Sequence, residues 1–203
     1  AQAGPALADL ILGVARPSAR LAVTWPADAG QIPLHYGARP GGRPARGGER
    51  YTSKYLDAPV TPQFAFGHGL TYGDCRYGPP AAEPAVLRPG QSTTVTVEVE
   101  NAGRHPADDT VLLFIRDRVA SIARPALELR GVSKAVVPPG GRVTVSFTLS
   151  TADLAFLDAG LEPCLEPGVF EIHVGPSAAP ELLRHTVIEV VADSAGSAPG
   201  QDR

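Results

Sequence analysis

Residues 92–101 read STTVTVEVEN. Val95, Val97 and Val99 fall on one side of an extended chain, and Thr94, Thr96, Glu98 and Glu100 on the other. That two-residue period is the mark of a strand buried on one face. The pattern recurs outward from there. RVTVSFTLS (142–150) sets Val143, Val145, Phe147 and Leu149 on one side. GVFEIHVG (168–175) sets Phe170, Ile172 and Val174 against Val169, Glu171 and His173, so His173 is expected on the polar side. HTVIEVV (185–191) is similar, and TVLLFIRD (110–117) is almost continuously apolar, as a central strand should be. Turn signals separate these runs: RPG (88–90), NAGRHPADD (101–109), PPGG (138–141) and EPG (166–168). Short Val- and Thr-rich strands at this spacing predict an antiparallel β-sandwich of immunoglobulin or fibronectin type. TADLAFLDAG (151–160) is expected to hold one helical turn inside it, and Asp108–Asp109 to serve in the turn before 110. The small, polar tail SAGSAPGQDR (194–203) is expected to be disordered.

The first third of the chain has another character. PALADLILG (5–13) has Pro5 near its start, Gly13 past its end and Leu7, Leu10 and Ile11 at helical spacing, which predicts a short amphipathic helix. RLAVTWP (20–26) then alternates and stops at Pro26, which predicts a strand ended by a breaker. A lone helix and strand cannot cover both their faces, so upstream sequence or another chain must supply the rest. GARPGGRPARGGER (37–50) is loop chemistry and reads as a solvated arm; its three arginines before Glu49 leave an anion site as the alternative. Beyond it, Tyr51, Tyr55 and Leu56 are able to pack. FAFGHGLTY (64–72) closes this third: three aromatics and two glycines around His68.

The chain has 203 residues, 43% of them hydrophobic, and a formal charge of −3. No basic stripe is present to neutralise phosphates, which argues against nucleic-acid binding. No apolar run approaches the roughly 18 residues of a membrane span, and no signal-peptide pattern is visible. The chain starts at Ala1 and contains no Met, which reads as a processed chain, a fragment or the tail of something longer. Cys75 and Cys164 are too far apart for a metal knuckle; two buried thiols and one disulfide both remain open. His35, His68, His105, His173 and His185 are scattered, with no second ligand at metal spacing. There is no phosphate loop, no His-Glu-x-x-His and no G-x-S-x-G. No pair among the 21 acidic residues stands out as glycosidase carboxylates. His68 reads either as a hydrogen-bonding group toward a ligand or neighbouring domain, or as a side chain tolerated in a tight turn. No catalytic residue, metal site or cofactor site is predicted within the chain.

The order of the motifs carries a resemblance. ADLILG, RLAVTWP, QIPLHY (31–36), YTSKYLD (51–57), FGHGLTY and RDRVASIARPALELRGVSK (116–134) follow one another as in the C-terminal part of glycoside hydrolase family 3, the β-glucosidase and β-xylosidase enzymes, of the bacterial periplasmic type. The similarity runs from about residue 3 to 176, and the ordered set is far more specific than any one motif. Departures are Ala19 for Gly, Ala22 for Pro, Lys54 for Arg, Arg118 for Pro and Val132 for Phe. Lys54 removes any bidentate contact an Arg would make.

The resemblance implies a mainly β chain: a fibronectin-III-like sandwich (74–193) after a remnant of an α/β sandwich with a long loop arm (1–73). It implies a retaining glycosidase acting on terminal non-reducing β-D-glycosides, whose two catalytic carboxylates lie in upstream domains, in the same or a separate chain. It further implies a periplasmic or secreted setting. Within that frame Tyr51, Lys54, Tyr55 and Asp57 are candidates for the substrate rim. Phe64, Phe66, Gly67, His68, Gly69, Leu70 and Tyr72 are candidates for the seam between domains. A stand-alone fibronectin-like binding module is the competing reading.

Overall fold

A computed structural model describes residues 2–45 and 48–192; the expected tail, 194–203, lies outside them. Helix α1 spans Ala3–Ile11 and ends at Gly13, whose φ of 73° suits a residue without Cβ. Eleven strands follow: β1 Cys75–Tyr77, β2 Ala81–Glu83, β3 Val86–Leu87, β4 Ser92–Asn101, β5 Ala107–Asp117, β6 Glu128–Val137, β7 Arg142–Ser150, β8 Phe156–Leu157, β9 Pro163–Cys164, β10 Gly168–Gly175 and β11 Arg184–Val190. They form two sheets and a small hairpin. In the first sheet β1 and β2 pair with successive parts of β4, and β7 pairs along nearly its whole length. The second runs β3–β11–β10–β5–β6, antiparallel except for β3 beside β11. The hairpin is β8–β9.

The sandwich core lies between the sheets. Val95, Val97 and Val99 of β4 and Val145 and Leu149 of β7 meet Val111, Leu113 and Ile115 of β5 and Phe170, Ile172 and Val174 of β10. The expected alternation therefore holds along β4 and β7, while on β10 the core face is as expected but Glu171 on the other face is buried as well. At the foot of β7 the predicted helical turn is a 3-10 turn, Thr151–Leu154. Ser150 Oγ accepts from the Asp153 N–H while the Asp153 carboxylate accepts from the Ser150 N–H, and the turn drives Leu154 into the core.

β5 has both faces covered, which explains its unbroken apolar run. Leu112 and Phe114 point away from the sandwich core into a second cluster with Ala178, Tyr36, Phe66, Leu127 and Leu129. Tyr36 and Phe66 belong to the N-terminal third, so that third lies on the outer face of the second sheet. Two expectations fail here. Segment 20–26 forms no strand; it contributes one bridge, Trp25 to Phe64. Its hydrogen-bonding neighbour is the tight turn at 64–68, too short and curved to extend a ladder. And Asp108–Asp109 lie within β5 and not in a turn; their carboxylates bond not to nearby turn amides alone but to Arg16 and Arg20, 92 and 89 positions upstream.

Candidate functional site

The N-terminal third is held to the sandwich by a ladder of polar contacts at the start of β5. The Arg16 guanidinium donates to both Asp108 oxygens, Nε at 3.1 Å and Nη2 at 3.0 Å. Thr110 Oγ1 donates to the Ser18 carbonyl at 2.9 Å, and Lys134 Nζ to Ser18 Oγ at 3.0 Å. At the centre sits Asp109, its side chain fully buried. It accepts from the Arg20 guanidinium, from the Tyr77 hydroxyl at 2.6 Å and from the Thr110 N–H at 2.9 Å. Arg20 also donates to the Gly69 carbonyl, tying the aromatic–glycine stretch to the same carboxylate. Burial, and then the Asp109 charge, push the Cys75 thiol up to about 12 and the Tyr77 hydroxyl well above its usual range. Cys75 and Cys164 are both free, so the disulfide alternative falls.

The stretch 64–72 folds as a tight loop against segment 21–25. Gly67 N–H donates to the Leu21 carbonyl, the Leu21 N–H to the His68 carbonyl, and Trp25 and Phe64 exchange backbone bonds. Gly67 has a φ of 81°, and a Cβ there would lie 2.6 Å from Leu112 Cδ1 and 2.9 Å from Ser177 Cα. Gly69 is as crowded, with the Ala19 carbonyl 2.6 Å from a Cβ. The glycines are needed for close approach, and in the first case also for the left-handed backbone. Phe66 packs into the second cluster, with its ring 4.4 Å from Tyr36 and 6.3 Å from Phe114. Phe64 stands between Trp25 and His68. Tyr72 is half-exposed and donates its hydroxyl to the Leu10 carbonyl, while Leu70 is exposed.

Two grooves flank the Phe64–His68 pair. One, about 550 Å³, lies between Thr24, Tyr36, the 60–66 segment and the 177–182 turn. The other, about 650 Å³, is almost wholly apolar and runs under Leu10, Leu21, Trp25 and Leu70. In the same N-terminal segment Leu7, Ile11, Leu12, Val14, Val23 and Trp25 are all exposed, apolar exposure of a kind that marks an interaction face. Helix α1 has no buried residue at all.

The rim candidates lie on the exposed arm. Tyr51 and Leu56 are exposed, Leu56 completely, and Tyr55 stands 42% exposed, so these side chains do not pack as expected. The Arg50 guanidinium lies 5.9 Å over the Tyr51 ring, and Lys54 Nζ donates to the Glu49 carbonyl. Asp57 is exposed beside them.

Two further networks escaped the sequence pattern. In the loop before β6, the Arg124 side chain is 3% exposed and bonds Asp117, Glu128 and the Leu154 carbonyl, over the Phe156 ring. Its partners come from the end of β5, the start of β6 and the 3-10 turn, so no local pattern announces it. On β10, Glu171 is buried rather than solvated; it pairs with Arg118, which stands where Pro is usual, and with His173 at 3.1 Å. His173 is half-buried opposite His185. Burial pushes the Glu171 carboxyl up, but the hydrogen bonds of His173 and Arg118 and the charges of Arg118 and Arg116 outweigh it, leaving its pKa lowered. Burial, the largest influence on His173, lowers its pKa against the pull of Glu171. Among the described residues no group of three or more His, Cys, Asp or Glu could hold a metal ion, and no helix is long and apolar enough to cross a membrane.

The fibronectin-like sandwich thus carries an apolar, partly unpartnered N-terminal segment on the outer face of its second sheet. Comparison with known proteins gives the family. Residues 1–72 match the glycosyl hydrolase family 3 C-terminal domain and residues 109–178 the fibronectin type III-like domain. A β-xylosidase of Formosa agariphila is 35% identical over 190 residues, which is 93% of this chain and 25% of that protein. The periplasmic β-glucosidase of Salmonella typhimurium is 32% identical over 88% of this chain and 24% of that protein. Among solved structures, a β-glucosidase from Listeria innocua superposes with a TM-score of 0.85 at 34% identity, covering 93% of this chain and 26% of that one. The chain belongs to glycoside hydrolase family 3, whose C-terminal and fibronectin-like segments it carries. It spans about a quarter of the length of these relatives.

Proposed function

We propose that the chain is the bracing end-piece of a retaining β-glycosidase that removes terminal non-reducing β-D-glycosyl residues. The division is residues 1–73, the end of an α/β sandwich with its arm, and 74–193, the fibronectin-like brace. The observation that carries this reading is the exposed apolar face of α1 and Trp25, held rigidly to the sandwich through the buried Arg20–Asp109 pair. A face so greasy and so firmly mounted suits a fixed domain contact. The stretch 64–72 is the seam, with Phe66 and Gly67 on the sandwich side and Leu70 toward the neighbour. The catalytic carboxylates come from outside this chain, and Tyr51, Lys54, Tyr55 and Asp57 line the rim of their pocket. One relative in the family is periplasmic, and the Listeria innocua enzyme has been seen with laminaribiose, which supports an extracytoplasmic β-glucan oligosaccharide as substrate. Light scattering on the isolated chain tests the brace: the exposed face predicts aggregation, relieved by co-expressing the upstream part. A monodisperse chain indifferent to that fragment would support the stand-alone module instead.

A further inference from the structure

The arm is a loop of nearly thirty residues whose two legs leave and re-enter the fold beside Gln31. Gln31 is 3% exposed, the one buried polar residue of the described N-terminal third. It ends a 3-10 turn, Ala29–Gln31, whose N-cap Asp28 accepts from the Gly30 N–H. The Gln31 amide nitrogen donates to two carbonyls of the returning leg, Pro59 at 2.7 Å and Thr61 at 3.1 Å. Its amide oxygen accepts from the Ala27 N–H at 2.6 Å. The oxygen thus fastens the side chain to its own turn, and the amide protons bind that outgoing leg to the returning one. The outgoing leg is fixed again at 36–38, where Tyr36 stacks on Phe66 and the Ala38 carbonyl accepts from the Ala126 N–H. Beyond that, contacts such as Ser53 N–H to the Arg43 carbonyl stay inside the loop.

We infer that Gln31 is the positioning residue of the arm: its amide pins the loop base and so sets where Tyr51, Lys54, Tyr55 and Asp57 stand. The inference rests on the rim reading for its effect on substrate, but the pin itself does not. With the outgoing leg fixed at 36–38, the returning leg is tied to it by the Gln31 amide and shifts when that tie fails, and misplacement by about 1 Å is enough to cost a binding contact dearly. On the rim reading these residues touch substrate and not the catalytic carboxylates, so Gln31 governs the binding of a bulky glycoside more than the bond-breaking step.

The test is Gln31→Glu in the full-length enzyme. The substitution keeps size and the acceptor for Ala27, but sets a carboxylate oxygen against the Pro59 and Thr61 carbonyls. Burial raises the pKa of such a group, so the introduced carboxyl is protonated at pH 5, where it donates to one carbonyl, and charged at pH 8, where it repels both. The ionisable group of that turn, Asp28, is spent on the Gly30 N–H and is common to both proteins. KM for a β-glycoside with a bulky aromatic aglycone, taken relative to wild type, is expected to rise about tenfold at pH 8 and to return toward one at pH 5, a tenfold change being what one lost hydrogen bond of about 1.4 kcal/mol produces. The kcat for a compact glycoside stays within about twofold of wild type. Trypsin cleavage after Arg50 and Lys54 is expected to quicken at pH 8 in the variant. Active wild type with a pH-independent relative KM of one overturns the inference. If wild type cleaves no β-glycoside, the enzyme reading itself fails, and the pin is judged on proteolysis: faster cleavage supports it, an unchanged rate overturns it.

Discussion

Asp109 is the residue on which the attachment of the N-terminal third turns, and Asp109→Ala measures it. Its side chain is fully buried and that of Arg20 is 13% exposed. Alanine leaves the Arg20 guanidinium buried without its counter-charge and the Tyr77 hydroxyl and Thr110 N–H without their acceptor. Removing one member of a buried pair costs about 3–5 kcal/mol. The orphaned hydroxyl alone is worth on the order of 1–3 kcal/mol, a loss that overlaps the first rather than adding to it. The prediction is therefore a loss of about 3–5 kcal/mol in the docking of segment 16–25 onto β5. Trp25 is the single tryptophan and sits in that segment, half-exposed, so its fluorescence reports docking, while far-UV circular dichroism reports the sheets. In urea, the fluorescence transition of the variant is expected to move well ahead of the dichroism transition, whereas in wild type the two lie close. A shift worth less than about 1 kcal/mol, the range of an exposed pair, would refute the claim that this pair carries the attachment.

Other consequences are checked the same way. Arg142 bonds Glu98 and Glu100 on an exposed face, so Arg142→Ala should change unfolding free energy by less than about 1 kcal/mol. Arg124→Ala, by contrast, strands Asp117 and Glu128 in a buried network and should cost about 3–5 kcal/mol, read from the dichroism transition. Gly67→Ala combines a left-handed backbone with a collision against Leu112 and Ser177, and should weaken Trp25 docking by about 1–3 kcal/mol or more. The lowered pKa values of Glu171 and His173 mean that the unfolded chain binds more protons at acid pH. Their stabilisation is present above the ordinary His and Glu values and is lost as pH falls; Glu171→Gln takes away the carboxylate that holds the His173 pKa up and should steepen the decline below about 6.5, while removing the further loss that Glu171 itself brings below about 4.5. The Cys75 thiol is shifted the other way, so its contribution is intact below the ordinary thiol value and is lost as pH climbs toward about 12; native Cys75 should resist iodoacetamide at pH 8 and react once unfolded.

What could be read from the residues depended on whether a pattern was local. The alternation of 92–101, 142–150 and 168–175 reports a two-sided environment within the strand itself, and the sandwich follows from it. The unbroken run 110–117 pointed to a central strand, and the structure adds that its outer face is covered by Tyr36 and Phe66. Strand β6 was not foreseen: ELRGVSKAVV is an edge strand with Val132 and Val136 exposed, and a register shift opposite Leu113 and Phe114 breaks its period. The pairings Arg16–Asp108 and Arg20–Asp109 join residues about ninety positions apart, and nothing near either acid hints at its partner. For the same reason Glu171 looked like a solvent-facing residue, since the arginine that pairs with it comes from the loop after β5. The functional candidates came from motif order, a signal that names the residues of an arm without saying what holds the arm. Gln31 lay inside a quoted motif, QIPLHY, yet only the distances to Pro59 and Thr61 show its work.

The central claim is that this chain braces a glycosidase without itself cutting the glycosidic bond. Hydrolysis of a chromogenic β-glucoside or β-xyloside, followed with the purified 203-residue chain and with the full-length protein side by side, addresses it directly. The account predicts release of the chromophore by the full-length protein, with retention at the anomeric carbon, and none above the buffer rate by the chain alone. Turnover by the purified chain would contradict it.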